Sequence, residues 1–238
     1  MIKAVFLDID DTVLDFGACV RAAMEKGFRQ FGLPPYEERM YPVFERVNAR
    51  LWQGIERGEL QRSQLIDLRW QAVFRELGLR ADGRAFELFF KEELRSSAIP
   101  VPGAAETLPW LSARCLLCAA SNGPYRQQER RLRISGFLPL FHHLFISEEI
   151  SFQKPDARFF ETAISRLNAA PLPGRAYPVR PEEILMVGDS LTSDMQGALN
   201  GGLIPCYFSR QGTPPPAGLP ITYIITQLTD LRSILENE

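Results

Sequence analysis

Histidine is almost missing from this chain: the only two, His142 and His143, are adjacent. A histidine-rich metal site or a dispersed histidine-based triad has little to draw on. Lysine is scarce as well. Only four of the 27 basic residues are lysines (Lys3, Lys26, Lys91 and Lys154), so a lysine in a loop is a less casual event. Cysteine is limited to Cys19, Cys115, Cys118 and Cys206. The Cys115-x-x-Cys118 spacing could suggest metal or redox work. The pair, however, lies in the apolar run Cys115-Leu116-Leu117-Cys118-Ala119-Ala120, which reads as a strand. Residues three apart on a strand face opposite sides, so buried structural thiols are expected. No apolar run approaches the roughly 18 residues that span a bilayer. Met1-Ile2-Lys3 leads straight into a strand that ends in acids, unlike a signal peptide. Net charge is -2, too small for a global field that recruits nucleic acid or anionic membrane. The expectation is a soluble cytoplasmic protein with no nucleic-acid polymer and no membrane as partner.

What is present is ordinary globular composition, 45% hydrophobic and 24% charged over 238 residues. That length suits one domain plus a sizeable insertion. Ala4 to Leu7 reads as a short buried strand. Residues 17–97 then contain nothing convincingly strand-like. Apolar residues at three- and four-residue spacing predict helices over 18–31, 37–57, 62–77 and 83–96, punctuated by Gly32, Pro34-Pro35, Gly58 and Gly78. From Pro100 onward, strands alternate with helices. Strands are expected at 115–120, 143–146, 184–187, 204–208 and 222–225, and helices at 104–111, 125–135, 157–167, 195–200 and 227–235. Asn168 to Pro181, rich in Pro, Gly and Ala, reads as a loop. Alternation of this kind implies an α/β fold with a doubly wound parallel sheet and right-handed crossovers. Residues 1–15 and 98–238 are expected to close into one core domain. Residues 16–97 are expected to form an all-helical domain inserted after the first strand, as a cap over its acidic end.

That acidic end is Asp8-Ile9-Asp10-Asp11-Thr12. Asp8 and Asp10 are two apart, so on an extended strand they share a face. Like charges that close repel, and a cation between them relieves the repulsion. Three further polar places follow: Ser121-Asn122 after a predicted strand, Lys154-Pro155 in a loop, and Asp189 with Asp194 after another strand. In a doubly wound sheet such ends converge on one crevice. The order Asp-x-Asp-x-Thr, Ser, Lys-Pro, Gly-Asp-Ser-x-x-x-x-Asp resembles the haloacid dehalogenase-like (HAD) superfamily along nearly the whole chain.

The resemblance implies a Rossmann-like core and phosphoryl transfer with Mg²⁺. It implies Asp8 as the nucleophile that forms an aspartyl-phosphate, and Asp10 as general acid and then base. Mg²⁺ would be held by Asp8, the backbone carbonyl of Asp10, and Asp189. Ser121 and backbone amides near Asn122 would bind the phosphoryl group, and Lys154 would counter the charge on Asp8 and the phosphate. Asp194 either orients Lys154 or supports the metal shell. An acid at position 10 favours a phosphatase or phosphomutase over a dehalogenase, whose ester intermediate needs no protonated leaving oxygen. Asn48 to Trp52, Arg69-Trp70 and Leu77-Gly78-Leu79 are similar to the cap of bacterial pyrimidine 5′-nucleotidases, as is Ser147-Glu148-Glu149-Ile150 before the lysine loop. That likeness makes Asn48, Trp52 and Arg69 candidate substrate-binding residues, although Trp52 and Trp70 read more readily as helix-packing core. The 168–181 loop is longer than that group's usual connection. A nucleoside 5′-monophosphate is the expected substrate, and the chain is expected as a monomer or homodimer. The alternatives are a phosphatase for a sugar phosphate or phosphoglycolate, and a non-catalytic binding module on the same fold.

Overall fold

The computed structural model describes residues 1–171, 173–175 and 177–237; Leu172 and Ala176 of the expected 168–181 loop lie outside the described residues. The chain divides into two compact units, Met1–Asp15 with Ala98–Glu238, and Phe16–Ser97.

The first unit is built on a six-stranded, wholly parallel sheet. Its strands are β1 (Ala4–Leu7), β2 (Leu116–Ser121), β3 (His143–Ile146), β4 (Ile184–Gly188), β5 (Ile204–Phe208) and β6 (Tyr223–Ile225), in the order β3-β2-β1-β4-β5-β6. The doubly wound α/β architecture expected from the alternation is present. β1 lies at the point where the strand order reverses, which is where such sheets form their crevice.

The two-residue period of the strands splits the core into two layers. Val5 and Leu7 of β1 join Leu117, Ala119, Leu185 and Val187 on one face. Ala4 and Phe6 join Leu116, Cys118, Ala120, Ile184 and Met186 on the other. Both sets are apolar because helices cover both faces. Five α-helices in chain order after the inserted block, α5 (Ala104–Arg114), α6 (Tyr125–Ile134), α7 (Ser147–Ile150), α8 (Ala157–Ala169) and α9 (Gln196–Gly201), are followed by the terminal α10 (Asp230–Asn237). Leu108, Leu111, Leu132 and Leu231 seal the first face. Phe159, Phe160, Ala163, Leu167 and Ala198 seal the second. Cys115 and Cys118 fall in different layers, and burial pushes the Cys115 thiol up to about 12. All four cysteines are buried and free, as structural thiols should be.

The second unit contains α1 (Phe16–Gln30), α2 (Tyr41–Glu56), α3 (Leu65–Glu76) and α4 (Gly83–Ser96). Short 3₁₀ turns, Glu38–Met40 and Arg62–Gln64, lead into α2 and α3 where the sequence predicts continuous helix. Asp82 caps α4 by accepting from the amides of Arg84 and Ala85. The helices close over an aromatic core of Phe28, Phe44, Trp70, Phe74, Phe86 and Phe90. No described helix is long and apolar enough to cross a membrane.

Candidate active site

Register sets the site. Leu7 of β1 pairs with Ala119 of β2 and Val187 of β4. Asp8 therefore follows one residue past that level, and Ser121 and Asp189 two. The amide of Asp8 still donates to the Val187 carbonyl at 2.9 Å, so the ladder carries the carboxylate to the strand tip. The chain then turns sharply. Asp11 adopts a left-handed conformation (φ 57°), which aspartate tolerates better than most residues, and its amide donates to the Leu14 carbonyl at 2.7 Å.

Lys154 arrives at the same point from the loop before α8. Its Nζ donates to Asp8 Oδ1 at 2.8 Å, Asp194 Oδ1 at 2.5 Å and the Ala120 carbonyl at 2.6 Å. All three ammonium protons are thus used, and the side chain is 1% exposed. Asn122 holds the lysine by its main chain: its Nδ2 donates to the Lys154 carbonyl (2.8 Å), and its Oδ1 accepts from the Lys154 amide (2.9 Å). The Asn122 side chain thus places Lys154.

Asp194 sits on a π-helical turn, Leu191–Met195, that begins before the helix expected at 195–200. Its Oδ2 accepts from the Ser190 amide at 3.1 Å. A side chain on Gly188 would meet that same oxygen at 2.1 Å, so only glycine lets β4 end against it. Asp8, Asp189 and Asp194 bring carboxylate oxygens within 4.8 Å of one another. Burial, outweighing the attraction of Lys154 and reinforced by Asp194 and Asp10, pushes the Asp8 carboxyl up to about 7. Asp189 is raised by burial and then by the charges of Asp8, Asp194 and Asp11. Burial alone would lower Lys154, but Asp194 and Asp8 outweigh it and raise the ammonium.

Asp10 points its carboxylate elsewhere. It pairs with the guanidinium of Arg131 and accepts from Gln128 Nε2 at 2.7 Å. Gln128 also donates to Ser121 Oγ at 3.0 Å. Gln128 and Arg131 are fully buried, and neither stood out in the sequence. The available signal was their three-residue spacing on a helix directly after Ser121-Asn122, blurred by three further arginines in the same ten residues.

Among the residues singled out in the helical unit, Arg69 lies inside it. Its guanidinium forks onto Glu87 at 3.0 and 2.5 Å and donates to Asn48 Oδ1 at 3.0 Å. Glu87 is fully buried. Trp70 is fully buried among the phenylalanines, and Trp52 packs against the same core while remaining partly exposed.

The family model for haloacid dehalogenase-like hydrolases matches residues 2–202. The chain belongs to this family. Its similarity to HAD-hydrolase YfnB of Bacillus subtilis (strain 168) is 30% identity over 99% of this chain and 96% of that one. Pyrimidine 5′-nucleotidase PynA of Streptococcus pneumoniae is 29% identical over 98% of this chain and 95% of that protein. Pyrimidine 5′-nucleotidase YjjG of Escherichia coli is 26% identical over 97% and 96%. The crystal structure of YfnB, bound to magnesium, superposes with a TM-score of 0.86 and covers 98% of both chains. As a HAD hydrolase the chain is an enzyme, and its crowded carboxylates acquire a use. A hard divalent cation takes oxygen ligands, and this set offers only oxygens.

Proposed function

We propose that the chain is a Mg²⁺-dependent phosphomonoesterase acting through an aspartyl-phosphate on Asp8, with pyrimidine nucleoside 5′-monophosphates as its substrates. The observation that carries the chemistry is the ion pair of a buried lysine with the first-strand aspartate, Lys154 Nζ to Asp8 Oδ1 at 2.8 Å. A nucleophilic carboxylate beside an anionic phosphoryl group needs a fixed cation, and Lys154 is locked there by three acceptors.

In the reaction, a carboxylate oxygen of Asp8 attacks phosphorus and the bond to the ester oxygen breaks. Asp10 gives its proton to the leaving oxygen. Water then attacks phosphorus, loses a proton to Asp10, and the Asp8 carboxylate departs. The Ser121 hydroxyl and neighbouring amides bind the phosphoryl oxygens. Asp194 holds Lys154 in place. Asp8, Asp189 and the Asp10 carbonyl would hold Mg²⁺, which would supply neutralisation of phosphoryl charge.

Support for the nucleotide comes from PynA and YjjG, both similar along nearly the whole chain. A second reading has support of the same kind: glyceraldehyde 3-phosphate phosphatase of Pyrococcus furiosus is 26% identical over the whole chain. The test is kcat/KM for UMP, dUMP, dTMP, AMP, glucose 6-phosphate, glyceraldehyde 3-phosphate and phosphoglycolate at one Mg²⁺ concentration. Pyrimidine nucleotides are expected to lead. A sugar phosphate or phosphoglycolate exceeding every pyrimidine nucleotide overturns the nucleotidase reading.

A further inference from the structure

We propose that Gln128 and Arg131, on one face of α6, are positioning residues that together set the aim of Asp10 and the hydrogen-bonding polarity of Ser121. The proposal rests on the phosphomonoesterase reading above and adds the residues that orient its acid and its phosphate-binding hydroxyl.

The argument begins at Arg131, whose guanidinium carries donors only. Its Nη1 pairs with Asp10 Oδ1 and donates to Gln128 Oε1 at 3.0 Å. The oxygen of the Gln128 amide must therefore face Arg131, so its NH₂ faces the other way. That NH₂ has two protons and finds two acceptors, Asp10 Oδ2 at 2.7 Å and Ser121 Oγ at 3.0 Å. Ser121 Oγ also accepts from the Gly123 amide at 3.1 Å. Both lone pairs of the hydroxyl are then occupied. Its own proton must be donated outward, and among the described residues no acceptor takes it. A hydroxyl locked as a donor suits a phosphoryl oxygen, which can only accept.

The arrangement is close-packed. Gln128 and Arg131 are both fully buried, and a side chain on Gly123 would meet Gln128 Nε2 at 2.4 Å. A buried guanidinium is retained only with partners, and breaking such a pair is costly. Arg131 and Gln128 each hold one oxygen of the Asp10 carboxylate, so the group cannot rotate freely. Asp8 is held by Lys154 and Asp10 by Arg131 and Gln128, so nucleophile and acid are oriented by different side chains.

The separation gives a chemical signature. Departure of an alkoxide, as from a nucleotide or sugar phosphate, needs the proton of Asp10. Departure of p-nitrophenolate does not. Loss of aim at Asp10 should therefore penalise alkyl esters selectively, whereas loss of Ser121 polarity should penalise every phosphate.

The experiment uses the full chain with Mg²⁺ and compares kcat/KM for UMP and p-nitrophenyl phosphate. Arg131→Met should lower the UMP value by about 100-fold or more, the lower range for general acid catalysis, and the p-nitrophenyl phosphate value by less than about tenfold. Asp10→Asn should give the same selectivity, and the double variant should lose little beyond either single one. Gln128→Met should lower both substrates and weaken inhibition by inorganic phosphate. If Arg131→Met does not fold, Arg131→Lys, which keeps the charge without the fork, should show the same selective loss at smaller size. Equal losses on both substrates for the Arg131 variant, or additive losses in the cycle, overturn the proposal while leaving the phosphatase reading intact. A wild type that hydrolyses neither ester overturns both.

Discussion

Asp8→Asn should make the metal-free protein more stable while abolishing its activity. In the fold the Asp8 carboxyl is pushed from 3.8 to about 7, chiefly by burial. Between those values the folded protein holds a proton that the unfolded chain has lost. Folded-state proton uptake makes stability fall as pH rises, so wild-type stability should decline from about pH 4 to about pH 7 and then level. At pH 8 the ionised carboxylate carries a penalty on the order of 4 kcal/mol relative to its neutral form. Asparagine cannot ionise and can still accept from Lys154. Allowing for local relaxation of the wild type, a gain of at least about 2 kcal/mol is expected, or roughly 4–8 °C in Tm for a chain of this size. Asp189, raised partly by the charge of Asp8, should relax in the same direction in the variant. The assay is thermal unfolding of both proteins in EDTA from pH 5 to pH 8.5, followed by circular dichroism. The gap should open with rising pH. Saturating Mg²⁺ should close or reverse it, because a ligand at 100 times its Kd adds about 2.7 kcal/mol to the protein that binds it. A variant no more stable than wild type at pH 8 in EDTA, or a gap that ignores pH, refutes the reasoning. So does residual turnover above about a tenth of wild type, since loss of a nucleophile costs several orders of magnitude.

Excess EDTA should abolish turnover, and Asp189→Ala should raise the Mg²⁺ concentration needed for half-maximal rate; full activity in EDTA would remove the metal from the reaction. Lys154→Ala leaves Asp8 and Asp194 facing each other without their cation, so it should lose activity and about 3–5 kcal/mol of stability. Lys91→Ala, on an exposed helical position, should change stability by less than about 0.5 kcal/mol, and similar behaviour of the two lysine variants would contradict the site. Arg69→Ala should unfold the helical unit more readily by about 3–5 kcal/mol, because Glu87 is left buried without a partner. Chemical denaturation of the full chain measures it, and a change below about 1 kcal/mol would make the pair dispensable.

Most of the sheet was legible because its strands are short, apolar and bounded by turn residues. His143–Ile146 and Gly83–Ser96 fall where the sequence predicts them. The discrepancies are local. Asn168 extends α8 instead of opening a loop, because its side chain ties that helix end to Val179 by hydrogen bonds of 2.9 and 2.8 Å. The π-helical turn at Leu191–Met195 starts ahead of the helix expected at 195–200, since Asp194 is drawn inward by Lys154 and the Ser190 amide. Neither tether shows in hydrophobic periodicity, which registers only apolar spacing.

The site was legible in a corresponding way. Asp8, Ser121, Lys154 and Asp189 each follow or face a strand end, so topology alone brings them together. The contacts that orient them were not legible, because a helix conceals which of its polar residues are buried. α6 carries four arginines, of which Arg126, Arg130 and Arg133 are exposed and Arg131 is not. Composition ranks the four alike. What distinguishes Arg131 is that Gln128 lies one turn before it on the face toward Ser121, and that Asp10, more than a hundred residues earlier, supplies the missing anion. Arg69 makes the complementary point. Likeness to the nucleotidase cap made it a candidate substrate contact, and Glu87, eighteen residues on, takes both prongs of its guanidinium. In both cases the role of a charged side chain is decided by a partner distant in sequence.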